Sequence, residues 1–348
     1  MTSLPPRATL VAFAEASIAR GSKSFGAASK LFDQRTRERA WLLYAWCRAC
    51  DDIADGQDHG GVIVIPEAEA LERAGEIRSM TEAAFRGEPT GNSAFDCLAI
   101  LNAECPIPRA FAEALLEGFD RDAAGWRPRS EADLFSYCWN VAGAVGCMMA
   151  VVMGVDPREE NTLDRACDLG LAFQLANIAR DVAEDAAGDR CYLPMDWLVE
   201  MDIPPGQHMH PAYRKRLAIM AKWLAEYVDM YEASARIGAT RLPFRSRWAV
   251  LAASNIYGAI AEKVREGGEH AWDHRVTTSG AEKAGFVTAA LGRALWAGKP
   301  SDEALSREGL WTRPRDEARV MEVIAPRGTP PYLPPRVTGT IDPPQPKE

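Results

Sequence analysis

Apolar residues recur three and four positions apart along most of this chain, and strict alternation never persists long enough to argue a strand. The first amphipathic stretch covers residues 8 to 20 and breaks at Gly21-Ser22-Lys23-Ser24-Phe25, after which Gly26 to Phe32 could resume a helix. Asp33 is placed to cap a helix that ends at Asp55, with Gly56 at the exit position and a loop over residues 57–65. Helical patterns follow at about 66–86, 93–104, 108–124 and 130–154, then 160–186, 211–238, 244–266 and 279–297. Pro194 stops further helix after the 160–186 pattern. The longest apolar run, Val141 to Val155, is too short to span a bilayer and rich in small residues, so it reads as a buried central helix. An all-α protein is predicted.

The periodic pattern fades near residue 300, and eight of the 23 prolines lie between Pro326 and Pro346. One helical domain over 1–300 and a Pro-rich, disordered tail over 301–348 are therefore expected. The 348 residues are 47% hydrophobic and 26% charged, enough to bury a sizeable core. A formal charge of −9 removes the electrostatic footprint of a nucleic-acid binder. Eight cysteines without disulfide-like spacing point to reduced thiols and a cytoplasmic chain. Cys47-x-x-Cys50 lies in mid-helix with no second ligand pair, so a zinc or redox role is disfavoured. His208-x-His210 sits among prolines and glycine, as in a solvated loop. The amino terminus lacks a signal-peptide layout.

Two acidic helix faces change the picture. At about 100° per residue, Gln174, Asn177, Asp181 and Asp185 fall within roughly 80° of one another. Tyr44, Arg48, Asp51 and Asp55 fall within about 60° on a second helix. Carboxylates four apart repel, and apolar neighbours such as Leu171 and Ile178 suggest burial, so a cation would resolve the conflict. Oxygen ligands without imidazole or thiolate favour Mg²⁺ or Mn²⁺, with substrate phosphates completing the shell. Lys23, Arg48, Arg180 and Arg275 could neutralise a departing diphosphate, and Ser22 and Ser24 flank Lys23 at a helix start. The organic remnant would be a carbocation, for which Phe25, Tyr44, Tyr137 and Trp139 offer aromatic faces.

These stretches resemble the squalene/phytoene synthase family: Gly-Ser-Lys-Ser-Phe at 21–25, the acidic segment at 43–55, Tyr-Cys-Trp-Asn-Val-Ala-Gly at 137–143, the second acidic segment at 168–185 and Arg-Cys-Tyr-Leu-Pro at 190–194. The likeness spans roughly residues 8–297. It implies a class I isoprenoid synthase bundle around a central cavity and head-to-head condensation of two geranylgeranyl diphosphates, through a cyclopropyl intermediate, to phytoene. It further implies that Asp51, Asp55, Asn177, Asp181 and Asp185 hold Mg²⁺, with Asp52 contributing. Asp51, Asp55, Asp181, Asp185, Tyr44, Arg48 and Arg180 would carry catalysis. Ser22, Lys23, Ser24, Phe25, Tyr44, Arg48, Tyr137, Gln174, Arg180, Arg190, Tyr192, Tyr257 and Arg275 would contact substrate or shape the diphosphate end. Trp139 stands where the family often has tyrosine, and Ala183 where glycine is usual.

Within the family, the alternatives are dehydrosqualene, squalene and presqualene diphosphate synthases acting on farnesyl diphosphate. Ala27, Ala28 and Ser29 leave space along a helix, favouring the twenty-carbon substrate. A squalene ending needs a hydride donor; no dinucleotide fingerprint is present and no NADPH is expected. A terpene cyclase would place a hydroxyl and then Glu where Asp181 and Asp185 stand, and a non-catalytic helical assembly factor would have lost carboxylates. The expected partners are geranylgeranyl diphosphate, a membrane lipid surface bound peripherally and other carotenoid-pathway enzymes.

Overall fold

The 3.6-residue rhythm becomes thirteen α-helices and no strand among the residues that a computed structural model of the chain describes, namely 3–56, 66–296 and 306–315. The side chains of Lys23, Ser24, Ala27 and Asp55 lie outside that description, as do the expected loop at 57–65 and the Pro-rich stretch beyond 315. The helices are α1 (Arg7–Gly21), α2 (Lys23–Ser29), α3 (Gln34–Asp55), α4 (Glu67–Phe85), α5 (Ser93–Glu104), α6 (Arg109–Ala123) and α7 (Glu131–Cys138). They continue as α8 (Ala144–Val152), α9 (Glu160–Ala187), α10 (Met195–Glu200), α11 (Arg214–Ala239), α12 (Phe244–Gly267) and α13 (Gly280–Trp296).

Local chemistry sets the ends. The Asp33 carboxylate accepts from the Thr36 N–H at 3.0 Å to start α3, and Gly56 at φ +69° closes it, as the sequence predicts. Ser130 and Asp133 form a reciprocal capping box that starts α7. Between α7 and α8 the chain adopts a π-helical turn, Trp139–Gly143, within one apolar helical run from Glu131 to Val152. That run is long and apolar enough to cross a membrane, but most of it is buried in this bundle as the central helix.

Small residues bring this run against α9. A Cβ on Gly146 would lie 2.4 Å from the Ala166 carbonyl oxygen, and one on Gly170 would lie 2.4 Å from that of Ala142. Only glycine permits so close a backbone approach, and it fixes the position of the helix carrying the second acidic face. Helices α11 and α12 cover α9 from the other side, while α1, α3 and α5 pack together around the fully buried Trp46, Phe95 and Leu98.

Three features depart from the sequence reading. Helix α9 stops at Ala187, short of Pro194, and Pro194 instead directly precedes α10. His208 is buried instead of solvated, and burial lowers its pKa. Residues 306–315, expected in the tail, lie against α9: Arg307 meets Asp168 at 2.7 and 2.8 Å, and Arg313 and Arg315 meet Asp164 at 3.0 and 2.8 Å. Glu160 also pairs with Arg313 and Arg315. An arginine-rich segment without apolar periodicity gives no helical signal, and its partners lie 139 to 155 residues away in sequence.

Candidate active site

The two acidic faces meet across a cavity. Asp51 from α3 and Gln174, Asn177, Asp181 and Asp185 from α9 line a polar cavity of about 550 Å³, together with Asp122, Tyr137, Arg190 and Tyr192. A second cavity of about 440 Å³ is mostly apolar and is walled by α2, α3, α8, α9, α11 and α12. Asp51, Leu115, Val141, Gln174 and Asn177 line both, so the polar and apolar spaces share a wall. Gln174, placed on the acidic face by helical spacing, sits at that junction.

Charge in the polar cavity is unevenly compensated. The Asp181 carboxylate accepts from Arg180 Nε at 2.7 Å and pairs with Arg275 at 2.9 Å. Asp185, four residues on, is pushed up to about 7, first by burial and then by the charge on Asp181; Arg190 offsets only part of this. Asp52 differs from its neighbour Asp51. It lines neither cavity and pairs with Arg48 one turn back along α3.

Aromatic residues divide between the two spaces. In the polar cavity the rings of Tyr137 and Tyr192 stack with centroids 4.8 Å apart, and both hydroxyls donate to Asp122 at 3.0–3.1 Å. Burial pushes both phenols well above their ordinary range, so they remain proton donors. In the apolar cavity Phe25 packs beside Tyr44 at 5.6 Å, and Tyr257 stacks on Phe173 at 4.0 Å. Trp139 lines neither space; its ring meets the edge of Phe111 at 6.1 Å.

At the amino-terminal break, Ser22 lines the apolar cavity and its hydroxyl accepts from the Phe25 N–H at 3.2 Å. A Cβ on Gly21 would lie 2.3 Å from the Tyr44 hydroxyl oxygen, so a larger residue there would displace the Tyr44 ring. Of the expected site residues, Arg48, Asp52, Arg180 and Arg275 line neither cavity, although Arg180 and Arg275 reach it through Asp181. The expected places of Lys23, Ser24 and Asp55 fall on side chains outside the described set.

Asp122 escaped the sequence reading. Its signal was slight: Leu115, Phe119 and Asp122 occupy one face of α6 at i, i+4 and i+7, and all three line the polar cavity. One acid at the end of an apolar stripe does not by itself mark a site.

The donor set suits a hard divalent cation. Asp51, Asp181 and Asp185 offer carboxylate oxygens and Asn177 an amide oxygen to the cavity, and Asp185 is a half-buried carboxyl that a cation would stabilise in its charged form. Among the described residues no three His, Cys, Asp or Glu side chains converge closely enough to hold an ion alone. Ligands drawn from opposite walls leave positions for phosphate oxygens and water, the manner in which Mg²⁺ is commonly held.

The sequence matches the family described as squalene/phytoene synthase over residues 18–282. It is 43% identical over 313 residues to the phytoene synthase of Pseudescherichia vulneris, covering 90% of this chain and 99% of that one. Identity to the 15-cis-phytoene synthase of Pantoea ananas is 40% over 307 residues, or 88% and 98% of the two chains. Among solved structures, a dehydrosqualene synthase in complex with ligand superposes with a TM-score of 0.71 at 23% identity, over 82% of this chain and 96% of that one. That likeness establishes a shared helical fold.

Proposed function

The chain belongs to the squalene/phytoene synthase family and is an enzyme of prenyltransferase type, and from its two joined cavities we propose that it condenses two geranylgeranyl diphosphates head to head to phytoene, releasing two diphosphates. The wall shared at Asp51, Gln174 and Asn177 carries this reading, because it sets an acidic, cation-flanked space directly against an apolar one with aromatic sides. A diphosphate ester with a long hydrocarbon tail has that polarity.

In the first half-reaction the allylic C–O bond breaks and its electron pair leaves with diphosphate. The cation adds to the double bond of the second substrate, and loss of a proton closes a cyclopropane that retains one diphosphate. A second C–O cleavage, rearrangement and proton loss give a hydrocarbon without any reductant. Arg190, which lines the polar cavity, and Arg180 and Arg275, which reach it through Asp181, would neutralise diphosphate as it departs, and the family resemblance adds Arg48 and Lys23 to that role. Tyr44, Phe25 and the Tyr257–Phe173 pair face the apolar space, where they exclude water and present π-electron density to positive charge. Mg²⁺ or Mn²⁺ held by Asp51, Asp55, Asn177, Asp181 and Asp185 would supply the remaining neutralisation of the diphosphates when bound.

The product is a hydrocarbon, so the reading includes peripheral attachment to a lipid surface from the cytoplasm and transfer to other carotenoid-pathway enzymes. The decisive experiment incubates the full chain with geranylgeranyl diphosphate, Mg²⁺ and detergent or lipid, with and without NADPH. Phytoene formed without NADPH is the expected product. A cyclic monomeric terpene would overturn the reading, and turnover confined to farnesyl diphosphate would move it to the fifteen-carbon synthases.

A further inference from the structure

One end of the bundle, where α12 begins and α13 ends, differs from the rest of the surface. Its inner face is built by Phe32, Leu242, Ala249 and Val250, all of which line the apolar cavity. Outside, Phe244 at the start of α12 is 41% exposed, and on α13, which packs against α12 without lining the cavity, Leu295 and Trp296 are 65% and 88% exposed. Helices α12 and α13 run antiparallel, with Lys263 paired to Glu282 at one end and Arg247 reaching the Ala294 carbonyl at the other. Phe244, Leu295 and Trp296 therefore share one end. The loop after α2 joins them there, because Arg245 donates to the Leu31 carbonyl at 2.7 Å.

The charge of this end is opposite to that of the protein. The chain carries −9, yet no acidic residue lies between Glu232 and Glu262, a stretch holding Arg236, Arg241, Arg245 and Arg247. On α13 no acid follows Glu282, whereas Arg293 is exposed. Arg236 is paired with Glu232, and Arg247 is turned inward onto carbonyls of Thr240, Leu242 and Ala294. Lys30, Arg241, Arg245 and Arg293 are solvent-exposed at this end, Arg245 and Arg293 also bonding Leu31 and Asn255, with Asp33 the acid on the adjoining loop. A tryptophan and aliphatic side chains ringed by arginine and lysine form the pattern that seats a protein in the headgroup layer of a bilayer.

We propose that this end, built from Phe244, Leu295 and Trp296 with Lys30, Arg241, Arg245 and Arg293, docks the enzyme on an anionic phospholipid surface. The proposal rests on reading the apolar cavity as the hydrocarbon site, since docking sets the wall formed by Phe32, Leu242, Ala249 and Val250 toward the phase into which a hydrocarbon product partitions. Trp296 and Leu295 enter the acyl boundary, and the cations remain among lipid phosphates.

The test is co-sedimentation of the full chain with phosphatidylcholine vesicles and with vesicles containing added phosphatidylglycerol, at low and high salt. The chain should bind the anionic vesicles, more weakly as salt rises. Leu295→Ser with Trp296→Ser should weaken binding by about tenfold or more. Arg245→Glu with Arg293→Glu should do the same and remove most of the salt dependence, while Trp296→Phe should retain binding. None of these side chains lines either cavity, so turnover of detergent-dispersed geranylgeranyl diphosphate should be unchanged. Undiminished vesicle binding by both double variants would overturn the proposal. So would a dimer in solution that Trp296→Ser dissociates, since a second copy would then cover the patch. Patch-dependent vesicle binding without phytoene formation would uphold the docking surface and remove the proposed reaction.

Discussion

The ring of Tyr192 stacks on that of Tyr137, and both hydroxyls donate to the single carboxylate of Asp122 on α6. This cluster ties the segment after α9 to α6 and α7 beside the polar cavity. Tyr137→Phe keeps the stack and removes one donor, so it should cost about 1 kcal/mol of stability. Asp122→Ala removes the acceptor of both buried hydroxyls and should cost about 2–3 kcal/mol. Urea denaturation of the two variants checks this, and equal losses would show that the carboxylate is not shared energetically.

Asp51→Asn and Asp181→Asn should each lower turnover by about 100-fold or more, because each weakens an anionic ligand facing the same cavity. Far-UV circular dichroism should be unchanged. Asp52→Asn should cost much less activity, since Asp52 pairs with Arg48 and lines neither cavity. Turnover near normal in either of the first two variants would remove the metal assignment.

The contrast between Asp51 and Asp122 shows what the sequence makes legible. Helical periodicity is local, so the helices and both acidic faces could be read from spacing alone, and Asp51, Asn177, Asp181 and Asp185 indeed line one cavity. The family resemblance directed attention to Tyr137, Tyr192 and Arg190, which line it too. Contacts made by single residues across long separations leave no such rhythm. Asp122 is one acid among many until Tyr192, 70 residues away, donates to it. Arg307 is likewise one basic residue near a Pro-rich stretch until Asp168, 139 residues away, receives it. Burial of His208 depends on what packs around a loop that itself reads as polar.

Gly170→Ala should destabilise the protein by about 1–3 kcal/mol or more. The added Cβ meets backbone on the facing helix, 2.4 Å from the Ala142 carbonyl oxygen and 2.7 Å from the Gly143 Cα, and backbone cannot step aside as a side chain can. Gly75→Ala on α4 is the control. Nothing lies within 4 Å of its Cβ, so alanine should stabilise by about 0.5–1 kcal/mol through helix propensity. Opposite shifts in denaturation midpoint are the expected result.

The Glu232 contribution to stability should fall between about pH 4.5 and 7. The Glu232 carboxyl is almost fully buried, and that burial pushes it from 4.5 up to about 7, with Arg236 only partly offsetting. The folded state therefore holds a proton that the unfolded chain releases earlier. Its contribution is complete below about 4.5 and is lost as pH rises through about 7. Glu232→Gln cannot release a proton, so its stability measured from pH 5 to 8 should decline less steeply than that of the parent chain. A slope should remain, because Asp185 is also raised to about 7. Identical pH profiles for variant and parent would place the titration elsewhere.

Arg313 and Arg158 separate a buried ion pair from an exposed one. The Arg313 side chain is 4% exposed, meets Asp164 at 3.0 Å, pairs with Glu160 and lies over the Phe111 ring at 5.7 Å. The Asp164 side chain is itself only 7% exposed. Arg313→Ala removes the most buried of the cations around Asp164, leaving Arg315 and Arg307 to compensate it in part, and should cost about 1–3 kcal/mol. Arg158 pairs with Asp156 in a geometry that lowers the carboxylate pKa to about 2, but the pair is solvated and within one loop, so Arg158→Ala should leave the denaturation midpoint unmoved. Asp164→Asn in the Arg313→Ala background removes the partly compensated charge and should restore some of the loss. A double variant no more stable than Arg313→Ala would show that packing on Phe111, rather than charge compensation, is what this segment contributes.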